Sequence, residues 1–122
     1  MGKIVYQNEV FLRGIVADNV MYKKASNGKD YCTFSLVVNH DKTELSEGET
    51  NSKEFIRIFV FNGKKKKLVD YLKNMGFRRG LYVGIYGLLR TTSTEHKGIP
   101  IVQISVGVRD IFIIQTKPIN NN

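Results

Sequence analysis

Hydrophobic and polar positions alternate with a period of two along most of this chain, the side-chain period of a β-strand. Glu54–Phe61 shows the pattern best, with Ile56, Ile58 and Val60 on one face and Phe55, Arg57, Phe59 and Phe61 on the other. In Val10–Val16, Val10, Leu12 and Val16 share one face and Phe11, Arg13 and Ile15 the other; Gly14 marks a bulge or bend. Tyr31–Val38 turns Cys32, Phe34, Leu36 and Val38 toward a core and Tyr31, Thr33 and Ser35 away from it. Leu81–Arg90 places Val83, Ile85 and Leu89 inward and Tyr82, Tyr86, Leu88 and Arg90 outward. Ile99–Ile114 reads as a long final strand, broken near Gly107.

The stretches between these runs carry turn and helix signals. Ser26-Asn27-Gly28-Lys29 is a turn, so residues 1–38 form a β-hairpin with a basic connection. Residues 39–53 are a polar loop, and Asn62-Gly63 ends the strand that follows it. Leu68, Leu72 and Met75, with Val69 beside them, recur at helical spacing and predict a helix over Lys64–Met75, closed by Gly76. Lys64–Lys67 then form its first turn, where cations oppose the helix dipole. They read equally as a solvated face and as a phosphate contact. Arg78-Arg79-Gly80 is a basic turn, and Thr91–Gly98 is a polar connection with its turn at Lys97-Gly98. Five strands, with one short helix between the third and fourth, make an all-β, five-stranded Greek-key barrel, the OB-fold. A β-sandwich would not need a helix at that point. The barrel is one domain over residues 1–115, followed by a short polar tail, 116–122.

Charge sharpens the picture. The 122 residues carry a net +8. Residues 41–54 hold Asp41, Glu44, Glu47, Glu49 and Glu54 against Lys42 and Lys53, a net −3 that leaves +11 for the rest. A basic body steers a polyanionic partner toward its surface. Cys32 is the single cysteine, which excludes an intrachain disulfide and fits a small core residue in a reducing compartment. Met1–Tyr6 lacks the apolar stretch of a signal peptide, and no run is long and apolar enough to span a membrane. The expectation is a cytoplasmic, nucleoid-associated protein without membrane contact.

The outward residues of the strand at Glu54–Phe61 supply the candidate chemistry. Large aromatics interleaved with a guanidinium suit stacked bases and a phosphate backbone. The candidates are Phe55, Arg57, Phe59 and Phe61, with Tyr31, Tyr82, Tyr86 and Arg90 on the outward side of neighbouring strands. Arg13, Lys23, Lys24 and Lys29 from the first hairpin, and Lys97 from the later connection, would supply backbone contacts. Phe59 has two readings, ligand contact or packing under a loop or the helix; Tyr82 and Tyr86 have a second reading as subunit-interface residues. Catalysis finds no support. No G-x-x-x-x-G-K-[ST] phosphate loop occurs, and His40 and His96 lack zinc-ligand spacing. Glu44, Glu47 and Glu49 read as a solvated acidic loop. No cofactor is expected.

These residues also resemble a family. Asn8-Glu9-Val10-Phe11-Leu12-Arg13-Gly14 looks like the opening N-x-V-x-L-x-G of bacterial-type single-stranded DNA-binding proteins. Ser26-Asn27-Gly28 resembles the turn that follows, Phe34–Asn39 the second strand, and Phe55–Phe61 the third, with its W/F-x-R-V-x-x-F pattern. Leu68–Leu72 resembles the helix and Val83–Arg90 the fourth strand. The resemblance spans roughly residues 8–114, as an ordered set of individually unspecific motifs. It implies sequence-independent binding of single-stranded DNA in replication, recombination or repair, by a homotetramer or homodimer. It also implies base stacking at Phe55 and Phe61. The chain has no Trp, although members often stack bases on one; Thr94 stands at a position where many carry it, and His40 and Lys42 follow Asn39 in place of an aromatic. Stacking then rests on Phe and Tyr. The terminus, Thr116–Asn122, lacks the acidic tip by which replicative members recruit enzymes. Either the sequence stops short of that tail, or the chain is a specialised member without it, from a mobile element, phage or organelle. The alternative is a primosomal or mobile-element accessory OB protein acting mainly through protein–protein contacts, and RNA is a third candidate ligand.

Overall fold

The β-branched and aromatic residues that alternate in the sequence meet inside a closed barrel. The computed structural model describes residues 2–39, Gly48 and residues 53–115. Its elements are β1 (Val10–Val16), β2 (Met21–Lys24), β3 (Asp30–Asn39), β4 (Lys53–Phe61), α1 (Leu68–Asn74), β5 (Tyr82–His96) and β6 (Ile99–Gln115). β1 pairs antiparallel with β5, β5 with β6, β6 runs parallel to β4, and β4 pairs antiparallel with β3. β3 returns to β1 through Ile15↔Val37 and Val16↔Leu36, which closes the circuit. Five strands closed in this way, with a helix between the third and fourth strands of the ring, are the OB-fold. The short β2 extends β3 on its free side, giving one strand more than the sequence pattern predicts.

The interior is filled by the residues whose alternation predicted it. Cys32, Phe34 and Leu36 of β3, Ile58 and Val60 of β4, Val83 and Ile85 of β5 and Val106 of β6 are all buried. Each large apolar side chain so enclosed contributes about 1.5–3 kcal/mol relative to exposure. Helix α1 stops one end of the barrel with Val69 and Leu72, and Phe77 behind it packs on Phe34 at 5.1 Å between ring centroids. Where β1 passes from β5 to β3 the backbones come very close. A Cβ on Gly14 would lie 2.3 Å from the Val37 carbonyl oxygen, so only glycine fits.

Four local expectations need correction. First, α1 begins at Leu68, and Lys64–Lys67 precede it. Asn62 caps the helix from outside, its Oδ1 accepting the Val69 N–H at 2.8 Å, while Gly63 donates to the Lys66 carbonyl at 2.8 Å. The lysines are thus outside the turn whose dipole they would oppose, and the acidic residue in that turn is Asp70. At the other end Phe77 N–H reaches the Leu72 carbonyl (3.0 Å) and Gly76 N–H the Lys73 carbonyl (3.3 Å), a Schellman closure.

Second, Thr91–His96 is strand rather than connection. β5 and β6 continue past the barrel as a two-stranded arm closed by Lys97-Gly98, whose φ values of 51° and 79° are those of a tight hairpin turn. Third, Leu89 is not enclosed. It pairs with buried Val106 and points to the inner face, but lies where the arm leaves the barrel and is 51% exposed. Fourth, β6 is unbroken. Its pairing with β5 has two register shifts: Tyr82 and Val83 pair with Gln115 and Ile113, and Tyr86 and Gly87 with Asp110 and Val108, leaving Ile114 and Arg109 as extra residues of bulges. In the first hairpin, β1 meets β3 only at Ile15 and Val16, and β2 supplies the remaining pairing. Residues 40–47, with His40, Lys42 and three of the loop's acidic residues, Glu49, and the 116–122 tail lie outside the described residues. Among the described residues no helix is long and apolar enough to cross a membrane.

Candidate nucleic-acid interface

The register between β3 and β4 fixes which outward side chains are neighbours. Tyr31 pairs with Phe61, Thr33 with Phe59, Ser35 with Arg57 and Val37 with Phe55. β2 extends the first two rows, with Lys23 opposite Tyr31 and Met21 opposite Thr33. On the far side of β4, Phe59 is in register with Gly107. The result is a sheet surface, organised by alternation, in which rings and polar groups occupy successive rows.

The rings cluster at one end. Tyr31 and Phe61 stack with centroids 5.3 Å apart, and Phe59 lies 6.2 Å from Tyr31 and 6.5 Å from Phe61. Phe59 is half-buried in this group, beside Tyr31 and Phe61. Thr33 beneath is buried despite facing outward, and its hydroxyl donates to the Ile58 carbonyl at 2.9 Å. Phe55, two rows away, is 66% exposed.

Arg57 lies between the aromatics on the same face. Its Nη1 is 3.8 Å from Asp18 Oδ2, while Asp18 Oδ1 accepts the Ser35 N–H at 2.7 Å. Asp18 comes from the link between β1 and β2 and holds the guanidinium across β3. Both side chains of this pair are nearly half exposed, so the pair contributes at most about 1 kcal/mol. Arg90 joins the surface from β5. A Cβ at Gly107 would lie 2.8 Å from Arg90 Cδ, so the bare glycine lets the arginine stem lie over β6 beside the Phe59 row. A shallow depression between β4 and the arm is lined by Phe55, Arg57, Phe59, Thr92, Gln103 and Ser105.

The other sequence-derived candidates are dispersed. Arg13 and Tyr82 line a second depression with Ile15, Val37 and Lys53, next to the Phe55 row. Lys53 was missed in the sequence, although it shares the outward parity of Phe55 and Arg57. Lys23, Lys24 and Lys29 surround the β2–β3 turn at the Tyr31 end, where Lys24 pairs with Asp30 at 3.3 Å. Lys97 stands at the tip of the arm. Tyr86 belongs elsewhere. Its ring stacks on Phe11 at 4.8 Å, and its hydroxyl donates to Glu9 Oε1 at 2.9 Å. The Arg109 guanidinium lies 5.8 Å from the ring, and its Nη1 donates to the tyrosine oxygen at 3.4 Å. Hydrogen bonds from Gln7 and then Tyr86 hold the Glu9 carboxyl below its usual range. The outward residues therefore form two surfaces: one over β3 and β4, bordered by Arg13 and Tyr82, and one around Tyr86 and Phe11 on β5 and β1.

Among the described residues there is no group of His, Cys, Asp and Glu able to hold a metal ion. Burial pushes the Cys32 thiol up to about 12, as befits an inert core residue.

Comparison with known proteins fits this geometry. No curated protein matches the chain. Among solved structures it is similar to the Plasmodium falciparum SSB in complex with ssDNA, with a TM-score of 0.74 and 20% identity, over 93% of this chain and all of that one. That likeness establishes the shared fold. Residues 7–114 match the model of the single-strand binding protein family. The chain belongs to the single-strand binding protein family.

Proposed function

We propose that this protein binds single-stranded DNA with little sequence preference, across the outward face of β3 and β4. The observation that carries the reading is the row arrangement of that face: stacked Tyr31 and Phe61, Phe59 beside them, Arg57 in the next row and Phe55 beyond. Bases stack on the rings, and every base offers a π-face, so the contact is tolerant of sequence. Arg57 and Arg90 meet phosphates between the stacked bases, with Arg13 and Tyr82 at the Phe55 end and Lys23, Lys24 and Lys29 at the Tyr31 end. Lys97 would touch a strand lying along the arm. Exposed strand of this kind arises in replication, recombination and repair, and proteins of replication or of mobile elements are the corresponding partners. The reading is of a binder with no catalytic step.

The second surface supports a homo-oligomer, a dimer or tetramer. Phe11, stacked on Tyr86, and Phe112, whose ring lies against Gly84, are exposed, and among the described residues Val10–Gly14 pair with β5 alone. A second copy placed against this open strand edge would cover them. This assigns Tyr86 to subunit contact rather than DNA.

The test is a fluorescence-polarisation titration with oligo-dT, oligo-rU and duplex at several salt concentrations. Tight, salt-dependent binding of oligo-dT above the other two is expected, and Arg57→Glu weakens it without changing the melting temperature. Failure of the parent protein to bind any strand would refute the proposal and favour a protein-docking OB module.

A further inference from the structure

One end of the barrel carries a concentration of charge that extends well beyond the three hairpin lysines at the Tyr31 end of the ring-lined face. Lys23, Lys24 and Lys29 lie on the β2–β3 hairpin, Lys64–Lys67 ahead of α1 and Lys73 on it. Residues 21–31 and 61–74 hold these eight lysines and two acids, Asp30 and Asp70, a net +6 within a chain of net +8. The segments are distant in sequence but adjacent in space. Lys29, Lys64 and Lys67 border one shallow depression with Asp30 and Asn62. Lys23, Lys24 and Lys73 border another with Asp30 and Tyr31.

Most of these cations are uncommitted. Lys24 pairs with Asp30 and Lys66 with Asp110 at 3.9 Å. Lys73 lies 5.6 Å from the centre of the Tyr22 ring. Among the described residues Lys23, Lys29, Lys64, Lys65 and Lys67 have no ion pair. Asp70 is occupied by Asn62, whose Nδ2 donates to it at 3.1 Å. Like charges so gathered repel one another unless an anion lies among them. The sequence alone predicts the lysine run as the first turn of the helix, readable equally as a solvated face or a phosphate contact; the structure places it ahead of the helix, on a bend beside a second basic hairpin.

We propose that this lysine crest is a second DNA contact, a ring-free track that holds the phosphates of the strand as it leaves the stacking face past Tyr31. Tyr31 connects the two regions. It stacks on Phe61 on one side and borders the Lys23–Lys73 depression on the other. Lysines are compact point charges on long flexible stems, suited to phosphates whose positions vary. The crest adds affinity and salt dependence but no base discrimination, and only strands longer than the stacking face can reach it.

The inference rests on the proposed function, and the experiment separates the two. The triple variant Lys64→Ala, Lys65→Ala, Lys67→Ala is titrated with oligo-dT of about 8 and about 30 nucleotides, the first within the range a single OB-fold covers. Expected is unchanged affinity for the short strand, at least a tenfold loss for the long one at low salt, and a fall of about 2 in the salt slope for three lost single-strand phosphate contacts. An unchanged slope and affinity on the long strand would overturn the crest and leave the stacking face intact. An equal loss on both strands would also overturn it, since the lysines would then be acting on the face itself. Phe55→Ala, measured on the short strand, reports on the stacking face independently. All three lysines are exposed, and the melting temperature checks that the triple variant is folded.

Discussion

Phe55 offers the cleanest single-residue test of the stacking face. It is 66% exposed, and among the described residues no ring contact involves it, unlike Tyr31, Phe59 and Phe61. Fully burying a Phe side chain stabilises a fold by about 1.5–3 kcal/mol, so a ring one-third covered contributes roughly 0.5–1 kcal/mol to folding. A base stacked on the same ring adds about 1–3 kcal/mol to binding. Phe55→Ala should therefore shift the melting temperature only slightly while weakening oligo-dT binding by roughly 5- to 150-fold. Phe59→Ala is the internal contrast, because its half-buried ring supports Tyr31 and Phe61, and it should lose stability and affinity together. The assay pairs fluorescence polarisation at fixed salt with thermal unfolding of the same samples. Phe55→Tyr should restore binding and Phe55→Leu should not, which separates stacking from simple apolar contact. Binding by Phe55→Ala within a factor of two of the parent would refute the stacking role.

Further outcomes follow from individual contacts. Asp18→Asn keeps the acceptor for the Ser35 N–H but removes the charge beside Arg57, so oligo-dT should bind a few-fold tighter, with little change in unfolding free energy for so exposed a pair. Gly14→Ala forces a methyl against the Val37 carbonyl and should cost about 1–3 kcal/mol or more in denaturant unfolding. Cys32, buried with its thiol pushed up to about 12, should resist a thiol reagent at pH 8 until the protein unfolds. Because the unfolded thiol ionises first, its contribution to stability is intact below about pH 9 and declines as pH climbs toward 12, measurable as a falling midpoint in alkaline denaturant titrations.

The barrel was readable in the sequence because one face of each strand is buried. Ile56, Ile58 and Val60, or Cys32, Phe34 and Leu36, leave a period-two record that only a pleated sheet explains. The arm was not readable for the same reason inverted. Both its faces meet solvent, so Thr91–His96 carries no core-facing alternation and looks like a loop, although its threonines favour strand and Lys97-Gly98 marks a two-residue turn. The start of α1 was misplaced because its cap, Asn62, comes from beyond the preceding turn instead of from the adjacent residue. At the candidate site, parity correctly put Phe55, Arg57 and Phe61 outward. It could not tell which outward residues share a surface, because that depends on which strands are neighbours. Tyr86 faces outward as expected, yet its neighbour is Phe11, not Phe61.

The arm also bears on how the chain folds. Its two strands zip from Lys97-Gly98 through pairs close in sequence, such as His96↔Ile99 and Thr94↔Ile101. Closing the barrel instead joins distant segments: the Asn8 side chain brackets the Leu89 backbone, accepting its N–H and donating to its carbonyl at 2.8 Å each, across 81 residues. Hairpins form in about 1–10 μs, whereas contacts so distant must first overcome the entropy of a long loop. The arm is then the early-formed template on which β1 docks last. A substitution at Gly98 should slow folding, while one at Asn8 should chiefly speed unfolding, and the two limbs of a chevron plot distinguish these outcomes.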